Sequence, residues 1–187
     1  MSTQQAERTI IDRYQDFRTK RFLKHERTYA NALPALRTQR RRRMLVVGLA
    51  LTLAMMTVVS VLCAFGFRQA ALLWLPACVL FFPAFIVLQI VSGRHGDAPT
   101  GVLDEFELEQ RNSARSIGLA VTQNLMLLPI GYLIVVSTAV TDVDTKAALD
   151  MAYAGGLMAL AVLMIGACTP AMILGWTKRA AEADADA

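Results

Sequence analysis

Four stretches of this chain lack every side chain that carries charge at neutral pH. No Asp, Glu, Lys, Arg or His falls between Met44 and Phe67, Gln69 and Val91, Ile117 and Val140, or Met151 and Trp176. A charge-free apolar run of about 20 residues is long enough to cross the hydrocarbon core of a bilayer. None of the four shows the polar alternation of a barrel strand. The 187-residue chain is 55% hydrophobic and 18% charged, and its charges crowd into the N-terminal segment, one central loop and the tail. That distribution excludes an ordinary water-soluble domain. It also argues against a cleaved signal peptide, because 43 residues precede the first run, which is longer than the apolar core of a signal sequence, about 7–15 residues.

Missing intramembrane charge excludes more. A proton-coupled exporter or antiporter needs a carboxylate at depth, where burial is costly unless function demands it. The three cysteines, Cys63, Cys78 and Cys168, all fall inside apolar runs and form no CxxC pair. They offer no disulfide framework and read as small buried hydrophobes. The two histidines, His25 and His95, lie in different segments with no Cys or carboxylate at metal-ligand spacing. No G-x-S-x-G, HExxH or phosphate-cradling glycine loop occurs. We therefore expect no catalytic residue, no metal and no cofactor.

What the chain does contain specifies an all-α, polytopic membrane protein with four transmembrane helices, at about 44–67, 69–91, 117–140 and 150–176. The links between the first and second runs and between the third and fourth are too short for anything but antiparallel neighbours. Two antiparallel hairpins, joined by a loop at 92–116, are the expected arrangement of a transmembrane domain spanning 44–177.

Basic residues set its orientation. Arg37, the run Arg40, Arg41, Arg42 and Arg43, then Arg94, Arg111, Arg115, Lys178 and Arg179 collect on one side, against Arg68 and Lys146 on the other. Lys and Arg in short loops stay cytoplasmic, so both termini and the central loop are expected inside. In size and topology the chain resembles small bacterial four-span membrane proteins, which implies a bacterial inner membrane. No functional residue follows from that likeness.

Residues 1–43 hold twelve Lys and Arg against four Asp and Glu. Ile10, Tyr14, Phe17, Phe22, Tyr29 and Leu33 share one broad helical face. Arg13, Lys20 and Lys24 populate the rest, which is the pattern of an amphipathic helix. Beside a bilayer such a helix lies on anionic headgroups, and each cation near that surface contributes about 1 kcal/mol. Tethered there, it reads as a membrane-surface element and not as a nucleic-acid arm. Pro34 should end it.

A short helix is expected ahead of the third span. Asp104 with Glu107 resembles a capping box and Leu103 with Leu108 a hydrophobic staple, while Glu105 and Glu107 suit a helix N-terminus. Glu107 stands one turn from Arg111, and the helix should run on through Arg115 into the span. The tail, residues 178–187, is expected to be disordered.

At depth the strongest polar groups are Gln89 in the second run and Gln123 and Asn124 in the third. They imply either hydrogen bonds between helices or a small polar path. Pro76, Pro83, Pro129 and Pro170 should kink their helices. Small residues recur at packing spacing on two ridges of the fourth run, Ala148, Ala152 and Gly156 on one and Gly155 and Ala159 on the other. The leading expectation is a non-enzymatic scaffold or accessory subunit working through its cytoplasmic face, with Arg13, Lys20, Lys24, Arg40–Arg43, Glu105, Glu107 and Arg111 as contact residues. Its partners would be the anionic bilayer surface, a protein in the membrane or at its cytoplasmic face, and further copies of itself. The rival expectation is a small oligomeric transporter or channel with its path near Gln89, Gln123 and Asn124.

Overall fold

The computed structural model describes Phe17 and residues 38–91, 105–139 and 145–177, and these are helical apart from short links. Helix α1 spans Gln39–Ala64, a 3₁₀ turn spans Arg68–Leu73, and α2 spans Trp74–Val91. Helix α3 spans Glu105–Ala139 and α4 spans Thr145–Thr177. Among the described residues, four helical segments are long and apolar enough to cross a membrane: Gln39–Ala64, Arg68–Val91, Leu108–Thr138 and Thr145–Thr177. At about 1.5 Å per residue, the 26 residues of α1 exceed the roughly 30 Å of hydrocarbon. Large apolar side chains face outward as well as inward: Leu51, Leu75, Val79 and Leu127 are each 66–70% exposed. Water does not tolerate continuous apolar surface of this kind; acyl chains do.

Helix α4 is the hub. It packs along α1, along α3 and, over a shorter length, against α2, while α1 also packs on α2 and on the 3₁₀ turn. Helices α2 and α3 scarcely touch. Along α1 the buried side chains are Arg42, Val46, Leu49, Leu53, Met56, Ser60 and Cys63, with Val59 beside them. Their alternating four- and three-residue spacing is the seam of a left-handed helix pair. Leu49, Met56 and Leu88 are completely enclosed. Where α1, α2 and α4 meet, Gly175 leaves no room for a side chain: a Cβ there would lie 2.9 Å from Leu88 Cδ1 and 3.4 Å from Val46 Cγ2. On α2, Phe81 stacks on Phe85 with ring centres 5.7 Å apart.

The α3–α4 contact rests on glycine. A Cβ at Gly118 would come within 2.9 Å of Pro170 Cγ and 3.1 Å of the Gly166 carbonyl oxygen, and one at Gly155 within 2.5 Å of Leu133 Cδ2. A Cβ at Gly166 would collide with Thr122 Oγ1. Without a hydrophobic driving force in lipid, such close backbone approach and its dispersion contacts hold the helices together. Of the two small-residue ridges on α4, it is the one through Gly155 that faces α3. Gly156 and Ala152 are exposed, and a Cβ at Gly156 would meet nothing within 4 Å.

Several local features differ from expectation. Helix α1 starts one residue before the arginine run, at Gln39, and so takes in all four arginines; it ends at Ala64 in a Schellman turn. There Gly66 N–H donates to the Cys63 carbonyl at 3.1 Å and Phe67 N–H to that of Leu62 at 3.1 Å. Gly66 has φ 91°, a left-handed value that closes this motif and strains any residue with a Cβ. Gly66→Ala should lower stability by about 1 kcal/mol, and Gly66→Asn by less, in reversible detergent unfolding; equal stability of all three would exclude the strain. Pro76 does not kink a long second helix. The α-helix begins only at Trp74, which puts Pro76 in its first turn, where a missing N–H breaks no bond. Pro83, Pro129 and Pro170 do lie inside α2, α3 and α4. Helix α3, by contrast, agrees with expectation: it runs unbroken from Glu105 through Arg115 into the third span. Asp104, Leu103 and Pro34 lie outside the described residues.

Hydroxyls within the spans turn back on their own helices. Thr57 donates to the Leu53 carbonyl at 2.9 Å, Ser60 to Met56 at 2.8 Å, Thr122 to Gly118 at 2.8 Å and Thr169 to Ile165 at 2.7 Å. In hydrocarbon an unpaired hydroxyl has no water to turn to, so this local bonding satisfies it at little cost to the helix.

Candidate functional site

One end of the bundle gathers most of the charge among the described residues. Four arginines in a row occupy the first turns of α1, and the helical period distributes them. Arg42 falls in phase with the buried seam and is 3% exposed; Arg40, Arg41 and Arg43 point outward. On α3 the same logic buries Arg111, 4% exposed, one turn before Ala114 and two before Gly118. Neither buried arginine stands without an interaction partner. An arginine taken out of solvent must be compensated by such partners, because burial of an unpaired charge costs several kcal/mol (roughly 3–5).

Helix α4 ends in the same place. The Arg43 guanidinium lies over the Trp176 ring, 5.0 Å from its centre, a cation–π contact suited to the interfacial depth where tryptophan collects. Gln110 Nε2 donates to Thr177 Oγ1 at 3.1 Å, and Thr177 in turn donates to the Ile173 carbonyl at 2.9 Å. The starts of α1 and α3 and the end of α4 are thus fastened together by polar contacts. Glu105, Glu109 and Arg115 are exposed on the early turns of α3, so its solvent edge is acidic at the start and basic further on. On the surface of α1 an open groove of about 590 Å³ is lined by Gln39, Arg40 and Arg43 and, further along the helix, by Met44, Val47, Gly48 and Leu51. Its two halves have the polarity of a headgroup over an acyl chain.

The opposite end is plainer. Arg68 Nη1 lies 2.5 Å from Asp150 Oδ1, and its guanidinium sits 5.6 Å from the centre of the Tyr153 ring. This pair ties the turn after α1 to the first turns of α4. With Arg68 59% exposed, its contribution is modest, about 0–1 kcal/mol. Sequence inspection notes Arg68 only as one of two basic residues on its side; nothing in the pattern reveals Asp150 as its partner.

Among the expected contact residues, the structure brings together Arg40, Arg41, Arg42, Arg43, Glu105 and Arg111. Arg13, Lys20, Lys24 and the side chain of Glu107 lie outside the described residues. The three intramembrane amides are not brought together. Gln89 is half-buried on α2 and has an interaction partner. Gln123 and Asn124 are exposed on α3, which α2 hardly meets. Asn124 Nδ2 donates to the Ala120 carbonyl of its own helix at 2.8 Å. Trp176 and Gln110 are members of the charged end that sequence reasoning missed. Tryptophan at the last turn of a span next to basic residues is the signal that points to the first; the second carries none. Among the described residues no three His, Cys, Asp or Glu side chains converge as metal ligands would. Comparison of the chain with protein-family models, curated proteins and solved structures gives no match.

Proposed function

We propose that this protein is a non-enzymatic scaffold or accessory subunit of a bacterial inner membrane, inserted as two antiparallel hairpins with both termini in the cytoplasm, and that it works through the arginine-bearing end of the bundle. The observation that carries the reading is the construction of that end. Buried Arg42 and Arg111, the Arg43–Trp176 contact and the Gln110–Thr177 hydrogen bond hold three helix ends in a fixed relation. They give the exposed charges of α1 and α3 a rigid base, which is what a docking surface needs if ordering is not to consume the binding energy. Among the described residues, the opposite end offers a tight turn and one exposed ion pair.

On this reading the outward arginines of α1, with the basic face of residues 1–43, meet anionic headgroups, and Glu105, Glu107 and Glu109 face a soluble or membrane partner carrying the opposite charge. Clustered cations beside a span favour anionic lipid by about 1 kcal/mol each, and the polarity of the α1 groove supports the same surroundings. An oligomeric transporter would need Gln89, Gln123 and Asn124 to share a path. Their separation on α2 and α3 weighs for the scaffold.

The test is affinity purification of the tagged full chain from native membranes, followed by the same capture from a Glu105→Lys, Glu107→Lys, Glu109→Lys variant and from a chain lacking residues 1–30. Partner yield should fall at least tenfold in the charge-reversal variant, with melting in detergent unchanged, because like charges placed across a contact cost several kcal/mol, roughly 2–5. Full retention of the partner by both altered chains would refute a cytoplasmic working surface.

A further inference from the structure

Helix α3 has the least buried of the four apolar stretches. Only 6% of the most apolar stretch of this helix is buried, against 33% for α1 and for α4. One side, with Arg111, Ala114, Gly118 and Thr122, packs on α4. The opposite side, at helical spacing, carries Ala120, Gln123, Asn124, Leu127, Gly131 and Ile134. Leu127 is 66% and Ile134 59% exposed, and both amide side chains are exposed. Gln123 lies six residues past Ile117, about 9 Å into the apolar run at about 1.5 Å per residue.

Lipid-facing positions at that depth ought to be apolar, because hydrocarbon supplies neither donor nor acceptor. The threonine and serine hydroxyls within the spans obey this rule by bonding to their own backbone. Gln123 has no hydrogen bond among the described residues, and Asn124 uses one of its two N–H groups. An amide left this way needs a polar partner within the membrane.

We infer that the partner is a second copy of this chain, its α3 laid parallel against this one across a two-fold axis along the bilayer normal, with the two Gln123 amides hydrogen-bonded to each other. Every copy inserts with the same orientation, so Gln123 of one chain stands at the same depth as Gln123 of the next. A carboxamide is donor and acceptor at once, so two identical amides satisfy each other across such an axis, as isologous contacts require. Gly131, two turns further on, leaves open space where its Cβ would stand, with no atom within 4 Å, and so lets a second helix approach. Asn124 flanks the axis and can bond to the opposing backbone. The inference rests on the membrane reading of the four helices and on nothing in the scaffold proposal.

The test uses the full chain, labelled separately with donor and acceptor fluorophores and reconstituted in phospholipid vesicles. Alkaline carbonate extraction comes first: if the chain is extracted, the membrane reading fails and this inference with it. With the chain inserted, energy transfer should follow a monomer–dimer isotherm on dilution with lipid. Gln123→Leu should weaken association about 3- to 20-fold, the range of interhelical polar contacts. Gly131→Leu, which adds bulk where the chain itself has none, should abolish transfer. Val79→Leu, on the exposed side of α2, should leave the isotherm unchanged. Absence of transfer at every density in the inserted wild-type chain, or full transfer in Gly131→Leu, overturns the inference. So does a photo-crosslinker at Leu127 in native membranes that captures only a different protein.

Discussion

Gly166→Val should separate α3 from α4 and leave a chain that inserts but does not hold its bundle. The Cβ of any residue at 166 would collide with Thr122 Oγ1 and lie 2.9 Å from Thr122 Cβ, with the Gly118 carbonyl oxygen 3.4 Å away. Thr122 cannot swing aside freely, because its hydroxyl is bonded to that same Gly118 carbonyl at 2.8 Å. Relief requires the helices to move apart, which forfeits the packing at Gly118–Pro170 and Leu133–Gly155 together. Overpacking at a tight contact costs about 1–3 kcal/mol and more where backbone must shift. For this pair, with close approach at three places along one seam, we expect about 3 kcal/mol or more for valine and about half of that for alanine. Two controls make the result specific. Gly156→Ala, one residue from the glycine that touches Leu133, meets open space and should be neutral or slightly stabilising, since glycine costs a helix up to about 1 kcal/mol relative to alanine. Thr122→Ala combined with Gly166→Ala should recover part of the loss, because it removes the colliding oxygen. Reversible unfolding in mixed micelles gives all four values, and a Gly166→Val chain as stable as wild type would show that α3 and α4 do not approach at this point.

That contrast between neighbouring glycines marks where sequence reading stops. The four helices were legible because a bilayer imposes length and the absence of charge, and both are properties of a linear string. The continuous α3 was legible in part, from the acidic start at Glu105 and the unbroken run past Arg115. Which face of each helix turns inward was not, since lipid and protein interior are equally apolar and leave no amphipathic stripe to read. Gly155 and Gly156 look alike in the sequence, and only packing makes one a contact and the other a surface. The charged end was legible as a set of residues on one side of the bundle, without its internal arrangement. Arg42 could have been set apart from Arg40, Arg41 and Arg43 by counting back from Ser60 and Cys63 in steps of four and three, along the small and apolar positions that line the α1 seam. Arg68 and Asp150 meet across 82 residues, and local pattern carries no such information. Gln123 is legible as a polar residue at depth, but the direction in which it points depends on α3 packing, among the described residues, chiefly on α4.

Replacing Arg40, Arg41, Arg42 and Arg43 together with Gln should scramble the orientation of α1, and the buried position of Arg42 allows that effect to be separated from a loss of stability. Orientation follows the difference in Lys and Arg between the flanks of a span. Removing four positive charges from one flank of α1, which leaves Arg37 there against Arg68 on the other, removes most of the local bias. Labelling of Ser113→Cys, in a chain whose native cysteines have been replaced, should then change from one side of the membrane to both. Substituting only the exposed Arg40, Arg41 and Arg43 should give most of the same scrambling, because the positive-inside effect counts charges near the surface and is indifferent to tertiary packing. Arg42→Gln alone should leave labelling one-sided. Its cost should appear instead in unfolding, as about 1–3 kcal/mol for a buried charged group whose interaction partner is left uncompensated. The Arg43 contact with Trp176 adds a further distinction: Trp176→Leu removes the cation–π partner without altering charge, and should cost about 0.5–2 kcal/mol with orientation intact. Uniform one-sided labelling of the four-Gln chain would mean that Arg94, Arg111, Arg115, Lys178 and Arg179 hold the bundle in place unaided, and that the arginine run serves the surface it presents and not the insertion of the helix behind it.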